Sequence, residues 1–279
     1  MSNLRVSGKG GLEMAVHDLG GEGPALLLAH ATGFCGAVFG PLAGHLTGRF
    51  HSWAIDFRGH GDSGMAPDGN MSWAALADDV LAVVGELGLH GLYGFGHSMG
   101  AAVLLDAEAR RPGTFAGLWC FEPILGPAPL PSEVGDALVA AALRRQRTFA
   151  SRADALAHLS SRSLFRNVDP VALAAYVDGG FDLAVDGSVS LKCTPETEAA
   201  AFRAGITHDG FERLARVACP VWFGRGENTT AADDGQLRVL AGSVADGRVQ
   251  VLGGMGHLGP LEAPATVAEV VHHAVAPRR

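Results

Sequence analysis

The chain of 279 residues lacks any apolar stretch long enough to span a bilayer, and its opening, Met1-Ser2-Asn3-Leu4-Arg5, begins no apolar run. Neither a signal peptide nor a membrane anchor is expected. No long basic run is present and the net charge is −8, which argues against nucleic acid or an anionic membrane surface as partner. Arg144, Arg145 and Arg147 cluster, but three such charges read as the solvated face of a helix. The four cysteines, Cys35, Cys120, Cys193 and Cys219, form no C-x-x-C pair. They read as small buried hydrophobes in a reducing, cytoplasmic setting. There is no H-E-x-x-H, and His272-His273 reads as a solvated helix end, so neither metal nor cofactor is expected. Internal repeats and low-complexity segments are also absent.

What is present is apolar material in a regular rhythm. Hydrophobic residues make up 48% of the chain, enough for a sizeable core. Residues 12–18, Pro24 to His30, Ser52 to Phe57, Gly91 to His97 and Ala116 to Glu122 read as strands. A helix capped by Ser72 carries Trp73, Leu76, Val80, Val83 and Leu87 at helical spacing, and another runs from Ser98 to Arg111. Strands apolar throughout that alternate with helices predict a parallel sheet covered on both faces.

The rhythm breaks at Gly126-Pro127-Ala128-Pro129-Leu130-Pro131. From Ser132 to about Gly205 the pattern predicts helices and no strand. Ser151 to Asp154 resembles a capping box, while Asp169-Pro170 and Thr194-Pro195 each pair an N-cap with proline at the first helical position. The strand–helix rhythm returns at Pro220 to Phe223, Asp234 to Ala241, Arg248 to Leu252 and Ala263 to Ala274. The expected organisation is an α/β core over 1–125 and 206–279, interrupted by a helical lid over 126–205.

Gly96-His97-Ser98-Met99-Gly100 fits G-x-S-x-G and lies between a predicted strand and a predicted helix. There the glycines let strand and helix approach, and the turn lifts the serine hydroxyl above the sheet. Gly94-x-Gly96-x-x-x-Gly100, with Glu122 ending the next strand, also resembles a dinucleotide loop. That alternative leaves the downstream histidine unexplained. His257, in Gly254-Met255-Gly256-His257-Leu258, follows the last predicted strand and is the expected base. His30-Ala31-Thr32-Gly33 follows the predicted strand Pro24 to His30 and is placed to supply an N–H to an oxyanion. Thr32 and Met99 are the expected donors. A histidine base must be neutral, so activity is expected to fall as pH drops through about 6 to 7.

In these motifs, together with Asp56-Phe57-Arg58-Gly59-His60-Gly61-Asp62-Ser63, the chain resembles the α/β-hydrolase superfamily over nearly its whole length. The resemblance implies an eight-stranded, mostly parallel sheet covered by helices, with a helical lid inserted after the sixth strand. Ala31 departs from the glycine usual in the oxyanion loop. Asp56, Arg58, His60 and Asp62 are implied to be structural, organising the core beside the site. The family places its acid in one of two positions. One holds Glu227, in Gly224-Arg225-Gly226-Glu227; the other holds Glu122, in Phe121-Glu122-Pro123, as in haloalkane dehalogenases and zearalenone lactonases. We favour Glu122, with Glu227 as the alternative.

The expected activity is hydrolysis of a small to medium, largely apolar carboxylic ester or lactone through an acyl-enzyme. Phe34, Cys35, Ile124 and Leu125 are the expected pocket residues. A C–C-bond hydrolase, a thioesterase, an acyltransferase and a non-catalytic ligand receptor remain open on the same fold. The expected partner is a small-molecule substrate, and a homodimer stays open.

Overall fold

The computed structural model describes residues 2–128 and 130–275. The chain enters through strands β1 (Ser2–Ser7), β2 (Glu13–Gly20) and β3 (Ala25–Ala29). Helix α1 (Gly40–Gly44), strand β4 (His51–Ile55), helix α2 (Trp73–Glu86), strand β5 (Leu92–His97), helix α3 (Met99–Arg110) and strand β6 (Phe115–Phe121) follow. The segment after β6 contains α4 (Ser132–Leu143), β7 (Thr148–Phe149), α5 (Arg152–Ser160), α6 (Pro170–Gly180), β8 (Phe181–Leu183), β9 (Val189–Leu191) and α7 (Pro195–Ile206). The chain then completes the core with β10 (Val221–Gly226), α8 (Asp234–Gly242), β11 (Gly247–Leu252), α9 (Gly259–Glu262) and α10 (Pro264–Val275).

Eight strands form one sheet in the order β1-β2-β4-β3-β5-β6-β10-β11. The β1–β2 and β2–β4 pairs are antiparallel, and the pairs from β4 through β11 are parallel. Parallel strands need crossover helices, and these cover both faces. Strand alternation sorts the side chains: Leu27 and Ala29 of β3 enter the core shared with α2 and α3, while Leu26 and Leu28 enter the core shared with α1 and α10. No helix among the described residues is long and apolar enough to cross a membrane.

Two readings of the sequence need correction. Strand β1 was not expected, because Leu4 and Val6 alternate with polar neighbours over too few residues to stand out. The segment after β6 is not purely helical, since β7, β9 and β8 form a small antiparallel sheet. Strands of two or three residues carry no readable periodicity. The turn between β8 and β9 did leave a signal, Asp186-Gly187, with Gly187 at φ +86° and Asp186 accepting from the Ser188 N–H and hydroxyl. The caps held at residue level: Ser151, Asp169 and Thr194 each accept a backbone N–H at the start of their helix.

Candidate active site

All the parts of the site lie at the carboxyl ends of β3, β5, β6, β10 and β11. At the β5–α3 junction Ser98 has φ +55° and ψ −115°, outside the ordinary regions for a residue with a side chain. Its neighbours explain how the chain tolerates this. A Cβ on Gly96 would lie 2.4 Å from the Ala101 Cα, and one on Gly100 would lie 2.2 Å from the Ala29 carbonyl oxygen. Only glycine lets helix and strand meet so closely. The Ser98 N–H donates to the Phe121 carbonyl at 2.8 Å, tying the turn to β6.

Glu122 follows β6, is fully buried and also has a left-handed backbone, φ +47°. Its carboxylate accepts three hydrogen bonds: Oε1 from the Gly226 N–H at 2.8 Å, and Oε2 from the Thr229 hydroxyl at 2.8 Å and from His257 Nδ1 at 2.6 Å. Glu227 is exposed, and its Oε2 accepts instead from the Gly254 N–H at 2.9 Å. Of the two candidate acids, the structure therefore brings Glu122 to His257. It puts Glu227 on the backbone of the loop that carries the histidine.

That loop is fixed at several points. Glu262 accepts from the Gly256 N–H at 2.8 Å, and His97 Nε2 donates to the His257 carbonyl at 2.8 Å. His97, the variable residue of the G-x-S-x-G stretch, is buried, and its ring lies 5.0 Å from that of His257. Burial holds its pKa well below the ordinary histidine value, and the nearby His257 adds to this. The side-chain hydrogen bond of His257 runs to Glu122, and Ser98 Oγ is not among its partners. Such bonds often tighten only with substrate bound.

The loop after β3 is gripped at Gly33, which has φ +80°. Its N–H donates to His60 Nε2 at 3.1 Å and its carbonyl accepts from the Tyr176 hydroxyl at 2.9 Å. Among the described non-glycine residues only Ser98 and Glu122 have positive φ, so Ala31 sits in ordinary backbone and needs no glycine there. The Thr32 hydroxyl lies 3.4 Å from Met99 Sδ, which sets this loop against the start of α3.

Arg145 departs from its expected solvated setting. It lies beyond the last residue of α4, is largely buried, and pairs with Glu198 while donating to the Tyr176 hydroxyl at 2.6 Å. Despite burial, Tyr176 and Glu198 hold its pKa above the ordinary guanidinium value. Sequence reasoning had no signal for Tyr176, Glu198 or Thr229, which reach the site from distant segments.

The four expected pocket residues differ in setting. Phe34 packs on Tyr176, with ring centroids 4.8 Å apart. Cys35 is fully buried, and burial pushes its thiol far above the ordinary range. Leu125 is buried in the core beside α3, and Ile124 packs against that core while its carbonyl accepts from His208 Nε2 at 2.9 Å.

Behind the site, Asp56 accepts from the Gly36 N–H at 2.6 Å, the Asp62 N–H at 2.9 Å and His17 Nε2 at 3.0 Å. His30 Nε2 accepts from the Phe57 N–H at 3.1 Å. Burial lowers the pKa of His30 to about 3, helped by His60, and that of His60 to about 4. The unfolded chain would protonate both near 6.5. It therefore binds more protons than the folded chain below that value. Stability should be complete above about 6.5 and decline as pH falls towards the folded values, by about 2 kcal/mol per ring at pH 5. Urea denaturation at pH 7 and pH 5 measures this. His60→Gln, which keeps an acceptor for Gly33, should remove roughly half of the difference. An unchanged difference would assign the acid sensitivity elsewhere.

Comparison with known proteins agrees with this architecture. Residues 26–270 match the model of the alpha/beta hydrolase family. The chain is 28% identical over 239 residues to a 2-(acetamidomethylene)succinate hydrolase of Mesorhizobium japonicum, covering 85% of this chain and 82% of the relative. It is 34% identical over 109 residues to an N-formylmaleamate deformylase of Pseudomonas putida, covering 39% and 41% of the two chains. The crystal structure of E-2-(acetamidomethylene)succinate hydrolase superposes with a TM-score of 0.86 at 25% identity, covering 98% of each chain. With a match that takes in most of its length and an eight-stranded sheet of the corresponding kind, the chain belongs to the alpha/beta hydrolase family.

Proposed function

We propose that the protein is a serine hydrolase that cleaves a small to medium carboxylic ester or lactone through an acyl-enzyme. The observation that carries this reading is the 2.6 Å contact between His257 Nδ1 and the buried Glu122 carboxylate, beside the strained Ser98 turn. A carboxylate on Nδ1 fixes the tautomer that leaves Nε2 free to accept a proton. Ser98 Oγ attacks the substrate carbonyl while its proton passes to His257 Nε2. The carbonyl π electrons move onto oxygen, where the N–H groups of Thr32 and Met99 receive the negative charge. When the tetrahedral adduct collapses, the bond to the leaving alcohol breaks and His257 returns the proton to it. Water, activated by the same histidine, releases the acid and restores Ser98. Glu122 orients the histidine and stabilises its charged form without itself being protonated.

A second reading, cleavage of an amide-type C–N bond, is favoured by the relatives named above, whose named substrates carry N-acetyl or N-formyl groups. The chemistry differs only in the leaving group, an amine that must be protonated as it departs. Fluorophosphonate labelling followed by peptide mapping tests the shared core of both readings. Label is expected on Ser98 and absent from Ser98→Ala. An unlabelled native chain would overturn both. Hydrolysis of p-nitrophenyl acetate against p-nitroacetanilide then separates ester from amide preference.

A further inference from the structure

The loop after β10 carries a residue without an assigned role. Thr229 comes from a segment more than a hundred residues away from Glu122, yet its hydroxyl donates to Glu122 Oε2 at 2.8 Å. This is the same oxygen that His257 Nδ1 contacts at 2.6 Å. The direction of the Thr229 hydroxyl is fixed by a further bond, in which its Oγ accepts from the Ala231 N–H at 3.0 Å. A hydroxyl has one proton, so the proton left to it points at the carboxylate. With Gly226 on Oε1, the carboxylate is held against rotation from both sides.

We infer that Thr229 is a positioning residue that sets how strongly Glu122 attracts the protonated form of His257, an inference that rests on the hydrolase reading above. A donor on Oε2 withdraws negative charge from the oxygen that faces the imidazole. Removing that donor concentrates charge on Oε2, favours imidazolium and moves the acidic limb of the pH–rate profile to higher pH. It also frees the carboxylate to turn about its side chain, so the histidine spends less time aligned. The side-chain hydrogen bonds of Thr229 run to Glu122 and the Ala231 backbone and to neither the Ser98 turn nor the loop at Gly33, so substrate binding should be little affected.

The other titratable and charged groups around the pair are already engaged. His97 donates to the His257 carbonyl. Glu227 and Glu262 accept from the Gly254 and Gly256 N–H groups. Arg225 donates to Asp234 and to the carbonyls of Gly226 and Glu227. None of them contacts Oε2 in place of Thr229.

The test compares the full native chain with Thr229→Val, which keeps the branched shape, and Thr229→Ser, which keeps the hydroxyl. With p-nitrophenyl acetate, Thr229→Val should lower kcat by about tenfold at nearly unchanged KM and raise the midpoint of the acidic limb by about 0.5. The low-field proton resonance of His257 Nδ1–H should move as well. Thr229→Ser should restore all three. If Thr229→Val folds poorly, Thr229→Ala removes the same hydroxyl with less bulk and carries the comparison. Native kcat and an unmoved limb in the folded hydroxyl-free variant would overturn the role of Thr229. So would a folded Thr229→Ser that behaves like the valine variant. Fluorophosphonate labelling of the native chain keeps this separate from the parent reading: label on Ser98 with an unmoved limb refutes Thr229 alone, whereas an unlabelled native chain refutes the mechanism itself.

Discussion

Glu122→Gln should lower kcat by about four orders of magnitude, while Glu227→Gln should cost no more than about a few-fold. The asymmetry follows from the donors each side chain meets. Glu122 receives three hydrogens, from Gly226 N, Thr229 Oγ and His257 Nδ1, and donates none. A carboxylate accepts all of them, but an amide has only one oxygen. If the glutamine oxygen takes the Oε1 place, its NH2 group faces both Thr229 and His257. If it takes the Oε2 place, the NH2 group faces the Gly226 N–H. The first arrangement drives His257 towards the tautomer that cannot act as base. The second leaves a buried N–H opposed by another donor, and in both the charge that stabilises imidazolium is lost. Glu227 meets one backbone N–H, which glutamine can still satisfy through its oxygen. Steady-state kinetics of both variants on one ester decide the matter. A larger loss at Glu227 would move the acid role there.

The largest expected effect on stability lies away from the chemistry, at Asp79. Its carboxylate takes two bonds from Arg58, at 2.7 and 2.9 Å, and one from the Lys9 N–H at 3.1 Å. Side-chain exposure of this pair is only 5% for Arg58 and 0% for Asp79, so solvent cannot replace a lost partner. Asp79→Leu would leave a guanidinium buried with only the Asn70 and Ala75 carbonyls as acceptors. The expected destabilisation is about 3–5 kcal/mol, read as a lowered urea midpoint at constant slope. Asp178→Leu, which breaks an ion pair with Arg152 on the surface, should move the midpoint little. Equal effects at the two sites would show that burial is not what makes the Arg58 pair matter. Arg58 belongs to the Asp56–Ser63 turn, whose His60 grips Gly33, so Asp79→Leu should also lower activity in the molecules that remain folded.

Much of the frame could be read directly. The central strands are apolar on both faces because helices cover both, and such runs stand out. The Ser98 turn was legible because its glycines answer a steric demand visible in the residue pattern itself, now seen at Gly96 and Gly100. The choice of acid was legible only as a preference for Glu122. β6 and β10 are parallel neighbours, with Phe121 in register with Gly224, so Glu122 and Glu227 both leave the same edge of the sheet. What separates them is the local backbone: the left-handed turn at Glu122 goes with a side chain that meets His257, and sequence pattern does not encode that angle. Thr229, Tyr176 and His97 were silent for a related reason, since an isolated hydroxyl or ring acquires meaning only from a partner far along the chain. Arg145 was misread because adjacency to other arginines suggested solvent, whereas its actual partners are Glu198 and Tyr176.

The bond from the Tyr176 hydroxyl to the Gly33 carbonyl bears on how this fold could be re-engineered. Tyr176 belongs to the segment inserted between β6 and β10, and Gly33 to the loop after β3. Replacing this segment with a foreign one would thus do more than change the surface beside the sheet. Unless the graft supplied a donor in the same place, it would leave that peptide loose on one side. The inserted segment and the sheet are therefore not interchangeable cassettes, and a chimera would have to carry Tyr176 across the splice.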